Sequence, residues 1–143
     1  MIKYLLLGLG YIFFTQVLFA QDFTENTQAA FDSVNQGSIA FADIDGDDDL
    51  DLLVTGTGDF DIFTTLYTND GSGNFTRVLG TPLDSVGASS IAFADVDGDD
   101  DQDVFITGST GPNRISKLYT NDGSGTFTEV MNTPFDEVSA GSI

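Results

Sequence analysis

"SIAFADIDGDDDLDLLVTG", residues 38–56, decides the fold, because the chain repeats it 52 residues later as "SIAFADVDGDDDQDVFITG", residues 90–108. "LYTNDGSGNFT" at 66–76 returns at the same offset as "LYTNDGSGTFT" at 118–128. So does "TPLDSV" at 81–86, as "TPFDEV" at 133–138. The phase also runs backwards, since "FT" at 23–24 and "FDSV" at 31–34 stand one period before "FT" at 75–76 and "LDSV" at 83–86. One repeating unit therefore organises the chain.

Each unit reads as β. "SIAFAD" alternates Ile39 and Phe41 with Ala40 and Ala42, the two-residue period of a tightly packed strand. "LDLLVTG" is apolar enough for a second, buried strand. "FTTLYTN" and "ISKLYTN" carry the Thr and Tyr that favour third strands. "NDGSG" is a hairpin turn whose Asn-Asp-Gly supplies positive-φ residues. "NFTRVL" and "TFTEVM" make fourth strands that Pro82 and Pro134 help to end. Four strands per period in tandem is the pattern of propeller blades.

The acidic runs 43–51 and 95–103 fall between first and second strands. Like charges this dense repel unless something offsets them. Their spacing supplies the offset: Asp at positions 1, 3, 5 and 9 with Gly at position 4. These residues are Asp43, Asp45, Asp47 and Asp51, then Asp95, Asp97, Asp99 and Asp103. Alternate carboxylates on a curled loop converge on one point. With the backbone carbonyl of Asp49 or Asp101 at position 7, and water, they meet the demand of Ca2+ for about six to eight hard oxygens. Two calcium sites are expected. Mg2+ fits worse because it insists on octahedral geometry, and Zn2+ prefers N or S ligands that the chain lacks. An EF-hand is excluded, since its position 12 needs a bidentate Glu and here holds Val54 or Ile106. The period of 52 excludes the nine-residue calcium β-roll.

The strand–"DxDGDxxxD"–strand unit followed by "LYxNDGSGxFT" resembles the FG-GAP/VCBS repeat family, known from integrin α-subunit propellers and many secreted bacterial proteins. The resemblance covers residues 23–143. It implies calcium-binding blades, with Asp43, Asp45, Asp47, Asp49 and Asp51 at the family's ligand positions in one copy. Asp95, Asp97, Asp99, Asp101 and Asp103 occupy them in the other. One departure is that the family usually has Gly at position 6, where this chain has Asp48 and Asp100. Aspartate tolerates the left-handed region at modest cost, so the loop is expected to close, with weaker affinity.

Composition narrows the function. The chain has 143 residues, 23 acidic against 4 basic, no Cys and no His, and a formal net charge of −19. So few cations argue against nucleic acid and anionic membrane as partners. Without Cys or His, thiol chemistry and the usual general base are absent, so no enzyme is expected. Asp59 and Asp61 are spare acids, but the matching segment "STGPNRIS" has none. That loop is where the copies differ most, making Phe60, Phe63, Arg114 and Lys117 candidate binding positions.

Residues 1–20, "MIKYLLLGLGYIFFTQVLFA", read as a signal peptide cut after Ala20. A retained anchor is the other reading, but Gly8, Gly10, Thr15 and Gln16 interrupt a stretch already short for a span. The expected architecture is all-β: tandem four-stranded β-propeller blades, an incomplete propeller cut from a longer protein. Residues 21–37 would end a preceding blade-like unit, 38–89 form the first blade, 90–141 the second, and 142–143 start a truncated third. The expected role is a secreted calcium-binding scaffold for extracellular interaction or adhesion, with an extracellular protein or glycan as partner. The alternatives are the non-catalytic propeller portion of a larger secreted enzyme, acting for instance on polysaccharide, or a truncated product without independent role. Two blades cannot close a ring, so self-association through exposed blade edges is expected.

Overall fold

The computed structural model describes Glu25 and residues 31–140. The expected signal peptide and the start of a third blade lie outside the described residues. Eight strands run along the chain: β1 (Asn35–Ala42), β2 (Asp51–Thr57), β3 (Ile62–Asn69), β4 (Phe75–Val78), β5 (Gly87–Ala94), β6 (Asp103–Ser109), β7 (Arg114–Asn121) and β8 (Phe127–Glu129). They form two antiparallel four-stranded sheets, each a simple meander, β1-β2-β3-β4 and β5-β6-β7-β8. No helix occurs among the described residues.

The 52-residue offset holds in the pairing register. Phe41 stands opposite Leu52 as Phe93 stands opposite Val104, and Tyr67 opposite Arg77 as Tyr119 opposite Glu129. Each first strand begins ahead of the "SIAFAD" motif and bulges there, with Gln36 and Ala88 at φ 49° and 45°. The "NDGSG" turns take their positive φ at the glycines, Gly71 (72°) and Gly73 (82°), rather than at Asn or Asp. Asp70 instead accepts from the Ser72 and Asn74 amides (2.9 and 3.2 Å).

Strand alternation gives each sheet a front and a rear. β2 is buried nearly throughout because both its faces are covered, Asp51 and Thr55 included. Rear residues Ala42, Ile44, Leu53 and Leu66 of the first sheet share one core with front residues Ile91, Val104, Ile106 and Tyr119 of the second. β5 lies against β1 and β2.

The chain between β4 and β5 runs through this joint as a strap. Leu83 and Val86 are buried in the shared core. Asp84 touches both sheets: its carbonyl accepts from Thr64 Oγ1 (2.8 Å), its amide donates to Tyr119 Oη (3.3 Å), and its carboxylate accepts from the same hydroxyl (3.1 Å). Residues 31–34 do likewise on the front of the first sheet. Asp32 pairs through its amide and carboxylate with Tyr67 Oη (3.3 and 3.1 Å), and Phe31 stands edge-on to Tyr67 and Phe75. A third strap begins at Phe135, which packs on Phe105, and Asp136, whose carbonyl accepts from Ser116 Oγ (2.7 Å).

Each occupied strap also has one cation. Arg77 of β4 lies 3.7 Å from Asp32, and Lys117 of β7 lies 2.6 Å from Asp84 and 3.0 Å from Glu129. These partners hold the Lys117 ammonium well above its ordinary range, chiefly through the hydrogen bond to Asp84. Lys117 is thus part of the joint rather than a free binding residue. Arg114 and Phe60 are exposed, and Phe63 is half-buried.

Candidate functional site

The acidic loops sit at the β1–β2 and β5–β6 hairpins, and their first task is to fold themselves. Asp43 accepts from the Gly46 amide through Oδ1 (2.8 Å) and from the Asp48 amide through Oδ2 (2.9 Å). Asp95 does the same with Gly98 (2.7 Å) and Asp100 (3.2 Å). Asp47 and Asp99 accept from the Asp49 and Asp101 amides (2.9 and 3.0 Å). These contacts curl the backbone so tightly that Asp48 and Asp100 take φ of 68° and 71°. Position 6 is thus left-handed in both loops, and aspartate accepts the strain where glycine is cheaper.

Asp51 and Asp103 are the buried anchors, each 1% exposed. Asp51 accepts from the Ile44 amide (3.0 Å) and the Asn69 amide (2.8 Å). Asp103 accepts from the Val96 amide (2.8 Å) and the Asn121 amide (2.9 Å). The carboxylate at position 9 thereby ties the loop to the end of the third strand. Asn69 and Asn121 look in sequence like turn residues. The signal that they do more is their strict recurrence before each "DGSG".

In the first loop, carboxylate oxygens of Asp43, Asp45 and Asp51 lie within 4.8 Å of one another. In the second, Asp95, Asp97 and Asp99 do. Positions 1, 3, 5 and 9 are all represented across the two loops, but neither gathers all four. Asp47 and Asp103 lie outside those groups. The carboxylates of Asp49 and Asp101 lie over Gly71 and Gly123, where a Cβ would meet them.

The electrostatics are unfavourable as they stand. Burial, then repulsion from Asp51, Asp47 and Asp43, pushes the Asp45 carboxyl up. Asp51 is raised by burial despite its backbone donors. Asp97 and Asp101 are raised by desolvation and then by their acidic neighbours. Asp45 Oδ1 is buried and has no hydrogen-bond partner among the described residues. Carboxylates grouped this way are hard oxygen donors, suited to a divalent cation of the calcium type.

The first loop is further enclosed by the second sheet. Ile44 is 1% exposed, packs against Gly125, and its carbonyl accepts from Asn121 Nδ2 (2.8 Å). The corresponding Val96 is 52% exposed.

Tandem four-stranded meanders, each closed at its first hairpin by an acidic loop, define a class of blade-like β repeats. Within that class, residues 43–106 match the family model described as an FG-GAP-like repeat. The match runs from the first acidic loop through the second into β6, the stretch that carries the repeated motifs. No curated protein and no solved structure matches the chain.

Proposed function

We propose that this chain is an exported, calcium-binding repeat scaffold, non-catalytic, whose blade-like units are of the β-propeller type and serve extracellular interaction or adhesion. The observation that supports it best is the unpartnered, buried Asp45 Oδ1 beside Asp43 and Asp51. A buried acceptor without a donor is costly, and a cation removes that cost together with the repulsion. Ligands at roughly 2.3–2.6 Å from one ion stand up to about 5 Å apart, which the 4.8 Å grouping satisfies. Asp43, Asp45, Asp47 and Asp51 hold one ion with the Asp49 carbonyl. Asp95, Asp97, Asp99 and Asp103 hold the second with the Asp101 carbonyl. The first site binds more tightly, because the second sheet already fixes its loop.

Thermal melts and titration calorimetry test this. At calcium about 100-fold above Kd, each site adds about 2.7 kcal/mol, and the pair raises Tm by more than about 10 °C. Asp45→Asn and Asp97→Asn each remove one calorimetric step. A melt identical in millimolar calcium and in chelator would sink the proposal.

A further inference from the structure

The two copies carry nearly the same residues but differ in what is covered, and the difference is systematic. On the front, Ile91 is 8% exposed, whereas its counterpart Ile39 is 62% exposed. Phe93 is half-buried and Phe41 exposed. On the rear the order reverses: Ile44 is 1% and Val96 52% exposed, Ala42 is buried and Ala94 exposed. The front of the second sheet is covered by the rear of the first. The first sheet's front along β1 and the second sheet's rear along β5 lie open.

These open faces are the two halves of a joint the molecule already makes within itself. We propose that a second copy of this chain docks there head to tail, the β1 front of one copy on the β5 rear of the next. Ile39 and Phe41 then enter a core beside Ala92 and Ala94, as Ile91 and Phe93 share one with Ala40 and Ala42. Val96 inserts against the Gly71–Gly73 turn of the incoming copy, as Ile44 does against Gly125.

The third strap completes the joint. Asp136 is held by Ser116 as Asp84 is held by Thr64. Among the described residues its carboxylate has no partner. It takes the Tyr67 hydroxyl of the incoming copy, with Arg77 as the cation, in the way Asp84 takes Tyr119 and Lys117. Only one strap fits between two sheets, so 135–138 displaces the incoming copy's own 31–34. The interface is heterologous, so it closes into a ring or grows open-ended. Two copies bring four sheets, the smallest number in a typical propeller. Neither a metal ion nor export is required.

Sedimentation equilibrium of the full chain tests this at about 150 mM salt, where the Debye length is about 8 Å. It is run in calcium and in chelator. Ile39→Asp closes the front and Val96→Asp the rear, and both side chains are exposed in the single copy, so folding survives. Wild type is expected to sediment as a dimer or larger, and each variant alone as a monomer. Their equimolar mixture forms a 1:1 dimer that grows no further, its mass double that of either alone. Association surviving in either single variant, or a mixture that stays monomeric in both conditions, overturns the proposal. The first outcome assigns association to another surface and the second assigns these faces to another occupant.

Discussion

Ile44 and Val96 occupy the same position of the repeat, so truncating each to alanine measures what the joint between the sheets is worth. Ile44 is 1% exposed, its Cδ1 would lie 3.3 Å from a Cβ on Gly125, and its own carbonyl is held by Asn121. Ile44→Ala removes buried carbon atoms and leaves a cavity between two sheets, which costs about 2–5 kcal/mol. Val96 is 52% exposed with the second sheet's rear open to solvent. Val96→Ala should therefore cost no more than about 0.5 kcal/mol. At about 4 °C per kcal/mol or more for a domain of this size, the first variant melts about 8 °C or more below wild type and the second within a few degrees. Urea denaturation followed by circular dichroism, at chain concentrations too low for copies to associate, reads the difference directly. Equal costs for the two variants would refute the reasoning, because the sheets would then be independent beads and Ile44 no part of a shared core.

The tyrosines of the joints offer a test by pH. Burial raises Tyr119 to about 12 and raises Tyr67 as well. The folded chain then holds a proton that the unfolded chain releases near the ordinary value of about 10, so stability is level below that pH and falls as pH rises towards about 12. Absorbance at 295 nm should show these tyrosines ionising late in the native chain and normally in urea; a native titration complete near the ordinary value contradicts their burial in the joints. At the left-handed position of the first loop, Asp48→Gly should stabilise the metal-free chain by up to about 1 kcal/mol and Asp48→Ala destabilise it by a similar amount. A urea midpoint higher for Ala than for Gly would contradict the strain at φ 68°.

Much of the fold was legible because the chain states it twice. Identity at a fixed offset aligns Asp43 with Asp95 and Leu66 with Leu118, so strand order, hairpins and acidic loops could be read without a structure. The left-handed turn at Asp48 was legible too, since a position that usually holds glycine declares its backbone requirement. Burial was not legible, because it depends on the neighbouring sheet: Ile39 and Ile91 are the same residue in the same motif and differ from 62% to 8% exposed. For that reason the exposed Ile39 and Phe41 of the first sheet could not be told from their covered counterparts Ile91 and Phe93 in the second. Lys117 looked available for a partner because it ends the segment where the two copies differ most. The structure pairs it with Asp84, a residue 33 positions away whose role no local pattern reveals. Within the site, the carboxylate spacing picked out Asp43, Asp45 and Asp51 in one loop and Asp95, Asp97 and Asp99 in the other, which the structure brings within 4.8 Å of one another. It missed Asn69 and Asn121, whose backbone amides, not their side chains, hold the anchors at position 9.

The cations at the straps bear on how such a chain can diverge. The first copy delivers its positive charge from β4 through Arg77, with Thr65 on β3; the second delivers it from β3's counterpart through Lys117, with Glu129 on the fourth strand. Exchanging the whole third-and-fourth-strand hairpin between copies preserves one cation at each strap. Exchanging the fourth strand alone sets Arg beside Lys at Asp84 and leaves Asp32 facing Glu with no cation. The unit of viable recombination is therefore the hairpin, and each copy's charge pattern is inherited as a pair.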